Sequence, residues 1–254
     1  MSTPASTSTS ASASTARRQI PYQPRSSPST TPFPYTARDL EPMDNSSDEI
    51  FYSEPRFVTH IDDGAIIALR SYFAEVLPTS KGSKILDMCT SWISHYPSEI
   101  EKAVEDGIIE VVGIGMNNEE MKYNKVLKGK YIVKDLNRDP TVSGWPGDEE
   151  GESEMLDSTT CTVSIDYITK PLEVLTSLRA RTKKGGSVHL IISNRCFPSK
   201  VVGRWMGIYE DDRLNMVGDY LAWSGWNGIE ILVLKEGSRF TRGDPLWVVR
   251  GYKE

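Results

Sequence analysis

In ILDMCTSWISHYP, residues 85–97, an apolar run carrying one aspartate passes directly into small hydroxyl residues and an indole. Ile85, Leu86 and Met88 around Asp87 read as a buried strand, because a strand covered on both faces is almost continuously apolar. Nucleotide-binding α/β domains begin this way, with a glycine-rich turn next that lets backbone approach a ligand closely. Here Cys89, Thr90, Ser91 and Trp92 stand in that place. Cys, Thr and Ser are small enough to turn tightly at the strand end and to offer side-chain donors beside their N–H groups. Trp92 is expected to wall the pocket with its flat ring.

On either side of this stretch, helix and strand patterns alternate. Upstream, IDDGAIIALRSYFAEVLP places Ile61, Ala65, Ile66, Leu69, Tyr72, Phe73 and Val76 near helical spacing before Pro78. Downstream, PSEIEKAVEDG reads as a helix closed by Gly107, IIEVVGIG (108–115) as a strand, and NNEEMKYNKVLKG as a helix stopped by Gly129. YIVKDL (131–136) is a third strand, and the Gly-, Pro- and acid-rich stretch 137–154 a loop. TTCTVSIDYI (159–168), the helix PLEVLTSLRARTK and SVHLIIS (187–193) follow, then two helices with a break near Asp211. GIEILVLKE and PLWVVRGYK close the chain as two neighbouring strands.

Alternation of this kind predicts an α/β, Rossmann-like fold with a mostly parallel sheet and an antiparallel strand at its C-terminal end. Ligands of such sheets sit beyond the carboxyl ends of the strands, near the switch in strand order. Those ends carry Cys89 to His95, Met116 and Asn117, Asp135 to Asn137 with Leu136 between, Ser164 to Tyr167, and Ser193 to Cys196.

The first 38 residues contain no Asp, Glu or Lys and are dominated by Ser, Thr, Ala and Pro. Such a composition buries little surface to offset the cost of ordering the backbone, so residues 1–48 are expected to be a disordered tail before a domain over 49–254. A chain begun near Asp44 is expected to melt like the whole. The four Arg of the first 38 residues leave the remainder, from Asp39 on, at a formal charge of −10, the −6 of the whole chain less those 4 positive charges. An acidic body argues against nucleic acid as partner. No apolar run approaches the ~20 residues of a membrane helix. Three widely spaced cysteines, Cys89, Cys161 and Cys196, form no disulfide framework and no zinc-ligand spacing, which fits a reducing, cytoplasmic setting and no metal. The Arg-bearing, acid-free N-terminus also fits an organellar transit peptide.

PRFVTHIDDGAI (55–66), LDMCTSWISHYP (86–97), GIGMNNEEMKYN (113–124), KDLNRDP (134–140), CTVSIDYITKPLEV (161–174), KKGGSVHLIISNRCFPSKVVGRW (183–205) and RGDPLWVV (242–249) together resemble a methyltransferase-like family of plants, algae and fungi. That family lies within the type-11 group of class I S-adenosylmethionine-dependent methyltransferases. The resemblance implies a seven-stranded sheet, S-adenosyl-L-methionine as cofactor and a small-molecule methyl acceptor. It sets Asp87 at the acidic position of the first motif and Asp135 at the position that meets the adenine amino group. It also sets Cys89, Ser91 and Ile93 at the three glycine positions, and Gly115 where an acid would hold the ribose hydroxyls.

The expected cofactor contacts are Asp87, Cys89, Thr90, Ser91, Met116, Asn117, Asp135, Leu136 and Ser164. His95, Asp166, Tyr167 and Arg195 are the candidates on the acceptor side. His95 titrates near neutrality when unperturbed, Arg195 could meet an anion, and Asp166 or Tyr167 could act as a base only with a shifted pKa. The G-x-G of residues 113–115 suggests a dinucleotide site, but Asn118 replaces the third glycine and the motif falls on the second strand. The missing glycines and ribose acid leave a second reading open, a methyltransferase-like module that binds without catalysing.

Overall fold

The computed structural model describes residues 17–148, 155–237 and 243–254. From residue 17 the chain forms β1 (Gln19–Ile20) and two single-turn helices, α1 (Ala37–Leu40) and α2 (Asp48–Phe51). Asp62 then caps α3 (Asp63–Val76) by accepting the Ala65 amide at 2.8 Å, and Ala65, Leu69, Tyr72 and Phe73 are buried along one face. β2 (Lys84–Met88), α4 (Ser98–Glu105), β3 (Glu110–Gly115), α5 (Asn118–Tyr123) and β4 (Tyr131–Val133) make the first half of the sheet. β5 (Leu156–Thr162), α6 (Pro171–Arg181), β6 (Thr182–Ser193), α7 (Glu210–Trp223), β7 (Asn227–Lys235) and β8 (Leu246–Tyr252) make the second.

The sheet has eight strands in the order β1-β7-β8-β6-β5-β2-β3-β4. β2 pairs in parallel with β3 and β5, β3 with β4, and β5 with β6. β8 runs antiparallel to both β6 and β7. The expected α/β, Rossmann-like sheet with an antiparallel C-terminal strand is therefore present, with β1 as an eighth strand beyond the expected seven. Successive residues of a strand face opposite sides. Thus Ile85 and Val111 pack in the layer of α3 and α4, while Leu86 and Val112 pack in the layer of α6 and α7.

Two elements end earlier than their sequence pattern. α5 stops at Tyr123 instead of running to Gly129, because Asn124 turns its amide toward the loop after β2. The fourth strand ends at Thr162, where Val163 takes φ +47° and the chain drops into a 3₁₀ turn over Ile165–Tyr167.

The larger correction concerns the tail. Residues 1–16 lie outside the described residues. The chain from 17 to 48 is held to the domain at the edge of β7, on α7 and at Lys200 and Val202, where a disordered tail was expected. Gln19 and Ile20 pair with Leu232 and Ile231 along the edge of β7. The Tyr22 and Tyr35 hydroxyls donate to the two oxygens of Asp219, at 2.7 and 2.8 Å, and Asp219 is fully buried. The Tyr22 ring lies so close to Gly218 that a Cβ there would meet it at 2.5 Å. Pro42 bridges to Val202, and the buried Lys200 ammonium donates to the carbonyls of Asp44 and Ser46. This strap buries its few aromatic residues on the surface of the domain, so it needs no core of its own.

Candidate functional site

Along the chain, β2, β3 and β4 build outward in one direction and β5 and β6 in the other, so strand order switches between β2 and β5. A cavity of about 580 Å³ opens there, beyond the carboxyl ends of the strands, within the size range of small-molecule sites. Its floor is the turn after β2. Cys89 takes φ +59° and the Thr90 amide donates to the Ile114 carbonyl at 2.8 Å, so the chain folds back tightly over β3, as expected of these small residues.

Asp87 holds that turn. One carboxylate oxygen accepts the hydroxyls of Thr90 (2.5 Å) and Ser94 (2.6 Å), and the other accepts Thr160 at 3.3 Å. Burial pushes the Asp87 carboxyl up to about 6, against these three bonds, which favour its charged form. The Asn124 amide completes the clasp, donating to the Ser91 carbonyl and the Ser94 hydroxyl, each at 2.9 Å. Gly115 lies directly beneath. A Cβ on it would stand 2.2 Å from the Thr90 carbonyl oxygen, so no side chain fits where an acid was sought.

The structure gathers most of the predicted residues on one cavity wall: Asp87, Cys89, Thr90, Ser91, Met116, Asn117, Asp135, Leu136 and Ser164, with His95, Tyr167 and Arg195. Several are already committed. The Asn117 side chain accepts the Glu120 amide at 3.1 Å and donates to the carbonyls of Tyr52 and Ser53. Ser164 donates to the Thr162 carbonyl at 2.9 Å. Asp135 accepts the amides of Asn137 and Arg138 through one oxygen, Oδ1, at 2.8 and 3.3 Å. Arg195 donates to Asp244 at 2.8 Å, so it reaches the cavity rim as half of an ion pair.

Two expectations are corrected. Asp166 lies behind the wall, 5 % exposed, and does not border the cavity. Burial pushes its carboxyl up to about 7, but the group has no access to a ligand there. Trp92 does not wall the pocket either. Its indole N–H donates to the Val58 carbonyl at 2.9 Å and its ring meets Phe57 edge-on at 6.2 Å, outside the cavity.

His95 sits in the left-handed region at φ +56°, is 5 % exposed, and borders the cavity. Its Nδ1 has no hydrogen-bond partner among the described residues. Burial pushes the ring down to about 4, against a hydrogen bond to the Thr59 backbone, so it is neutral at pH 7. The Tyr167 hydroxyl accepts the Phe197 amide at 2.9 Å, and burial raises it above the ordinary phenol range. It stays protonated and keeps its O–H to donate.

Residues of the 48–62 segment, which were not expected at the site, add to its lining. Asp48, Tyr52, Arg56, Val58, Thr59 and His60 border the cavity. The Asn137 amide donates to Asp48 at 3.0 Å, and the Arg56 amide donates to Glu120 at 2.7 Å. The Arg56 guanidinium donates to the Phe51 carbonyl and lies 4.6 Å from the Phe51 ring centre and 5.3 Å from that of Phe197. It has no ion-pair partner among the described residues, unlike Arg195. The aromatic density of IFYSEPRF (50–57) around one arginine was the available signal.

No helix among the described residues is long and apolar enough to cross a membrane. Among the same residues no cluster of three or more His, Cys, Asp or Glu could hold a metal ion.

No protein-family model matches the chain. No curated protein matches it. Solved structures similar to it include a TehB-like S-adenosylmethionine-dependent methyltransferase from Corynebacterium glutamicum, at 15% identity over 73% of this chain and 87% of that one, with a TM-score of 0.44. A methyltransferase of the same dependence from Archaeoglobus fulgidus is 12% identical over 74% of this chain and 94% of that one, with a TM-score of 0.49. Phosphoethanolamine N-methyltransferase 2 of Haemonchus contortus, in complex with S-adenosyl-L-methionine, is 12% identical over 77% of this chain and 58% of that one, with a TM-score of 0.47. The strand order of this chain, and not these likenesses, carries the fold.

Proposed function

We propose that this chain binds S-adenosylmethionine across the β2–β5 switch and passes its methyl group to a small-molecule acceptor held under the 48–62 segment. The observation that carries the reading is the cavity itself. It lies at the switch point of a sheet whose last strand is antiparallel, and carboxylate, amide and aromatic groups line it together. The residues present fit the group. Cys89 to Ser91 bring backbone close to a ligand, Asp135 keeps an oxygen free of the turn it stabilises, and Tyr52 and Tyr167 offer flat walls.

Bound there, the sulfonium would supply an electrophilic methyl group. The chain's own contribution is position, since reactants held in line gain much of their rate from lost translational freedom. His95 borders the site as a neutral imidazole whose Nδ1 is itself buried, and the Tyr167 O–H offers a donor to the acceptor. With its pKa near 4 the imidazole is a weak base, so the proton that the acceptor loses on methylation passes to water at the mouth of the cavity.

A non-catalytic binding module is the second reading. It is favoured by the Thr90 carbonyl over Gly115, which forbids an acid at that position. Purified full-length chain irradiated with methyl-tritiated S-adenosylmethionine tests the main reading. Label in peptides containing residues 85–97 or 131–138, competed by excess S-adenosylhomocysteine, supports it, and absence of specific label overturns it. Label without transfer to any small-molecule extract favours the module.

A further inference from the structure

Gly115 cannot carry a carboxylate, yet the same wall carries one a turn further on. Glu120, on α5, borders the cavity and is only 8 % exposed. Its neighbour Met121 packs on Gly115, with the sulfur 2.9 Å from where a Cβ would be. This places the first turn of α5, which carries Glu120, against the carboxyl end of β3. The capping contact from Asn117 to the Glu120 amide fixes that turn.

The two oxygens of the Glu120 carboxylate differ. Oε1 accepts the Arg56 amide at 2.7 Å. Oε2 takes no hydrogen bond among the described residues, and the Arg56 charge acts on the carboxylate from nearby without forming an ion pair in contact with it. Oε2 is not sealed in the protein, so it stays open to a donor that enters the cavity.

We infer that Glu120 receives the vicinal hydroxyls of a ribonucleoside ligand, in place of the acid that position 115 excludes. The inference rests on the proposed reading of the cavity as a nucleoside site. It adds a coupling that an acid on the strand could not give. The carboxylate that meets the ligand also holds the Arg56 amide, so one side chain ties ligand binding to closure of the 48–62 segment.

The test is titration calorimetry on the full chain, with S-adenosylhomocysteine and its 2′-deoxy analogue as probes. Glu120→Gln keeps an oxygen for the Arg56 amide while removing the charge, and its unliganded melt is recorded beside the wild type. A hydrogen bond to a charged group is worth roughly 1.5–3 kcal/mol, or about tenfold to a hundredfold in affinity. The wild type should therefore bind the deoxy analogue at least about tenfold more weakly than the parent. Glu120→Gln should bind the parent about as weakly and no longer tell the two apart. If the wild type binds both probes equally, or if Glu120→Gln still discriminates, Glu120 is not the diol residue and the nucleoside reading stands. If the wild type binds neither probe, this inference and the proposed function fall together.

Discussion

The Thr90 carbonyl oxygen and Gly115 Cα are in contact across two parallel strands, so closely that a Cβ on Gly115 would lie 2.2 Å from the oxygen. The turn after β2 and the missing ribose acid are thus one feature. The chain folds Cys89 to Ser91 over the end of β3, and glycine is the residue that permits it. Gly115→Ala should push the turn off its seat, at a cost of about 1–3 kcal/mol as for other overpacked sites. Urea melts should show a lower midpoint with unchanged slope. An unchanged midpoint would mean that the turn moves aside freely.

The strap of residues 17–43 should matter to stability. Removing residues 1–43 strips the edge of β7 and leaves the buried Asp219 carboxylate without Tyr22 and Tyr35. The same cut uncovers the apolar surface against which Ile20, Tyr22, Phe33 and Tyr35 pack, so the shortened chain should melt well below the full one. Melts that coincide within error would show that the strap adds nothing.

Two buried carboxyls should take stability away as pH rises. The buried His95 and His189, whose rings burial pushes down to about 4 and about 3, act in the opposite sense. Burial raises Asp166 from 3.8 to about 7 and Asp87 from 3.8 to about 6, so the folded chain binds these protons more tightly than the unfolded one. Their contribution is fully present below about pH 4 and is lost as pH climbs to about 7. Asp166→Asn removes the buried charge, so it should gain stability over wild type at pH 8, with the difference shrinking by pH 5. Denaturant melts at the two pH values check this, and a variant equally weakened at both would contradict it.

Alternation of pattern made the parallel sheet legible, because burial on both faces forces Ile85, Leu86, Val111 and Val112 to be apolar. The strand ends were legible for the same reason. Polar residues cluster where the apolar run stops, and the cavity gathers nearly all of them. Side-chain direction was not legible in the turn. Cys89 and His95 take left-handed φ values that periodicity does not reveal in non-glycine residues, and these throw Trp92 outward onto Val58. The strap was missed because composition measures what a segment buries within itself. Ile20, Tyr22 and Tyr35 bury against another part of the chain. Gly115 stood out as an anomaly, but its cause lies in Thr90, which is far away in sequence.

The central claim is a cofactor pocket open to S-adenosylmethionine at the β2–β5 switch. Thermal melts of the full chain with and without S-adenosylhomocysteine test it most directly. At ~100 times its dissociation constant a ligand adds about 2.7 kcal/mol to the folded state, so the wild-type melt should rise by several degrees. Asp135→Asn, which keeps an oxygen for the Asn137 and Arg138 amides but removes the charge, should lose most of that rise while its unliganded melt changes little. A wild-type melt unmoved at saturating S-adenosylhomocysteine would contradict the account.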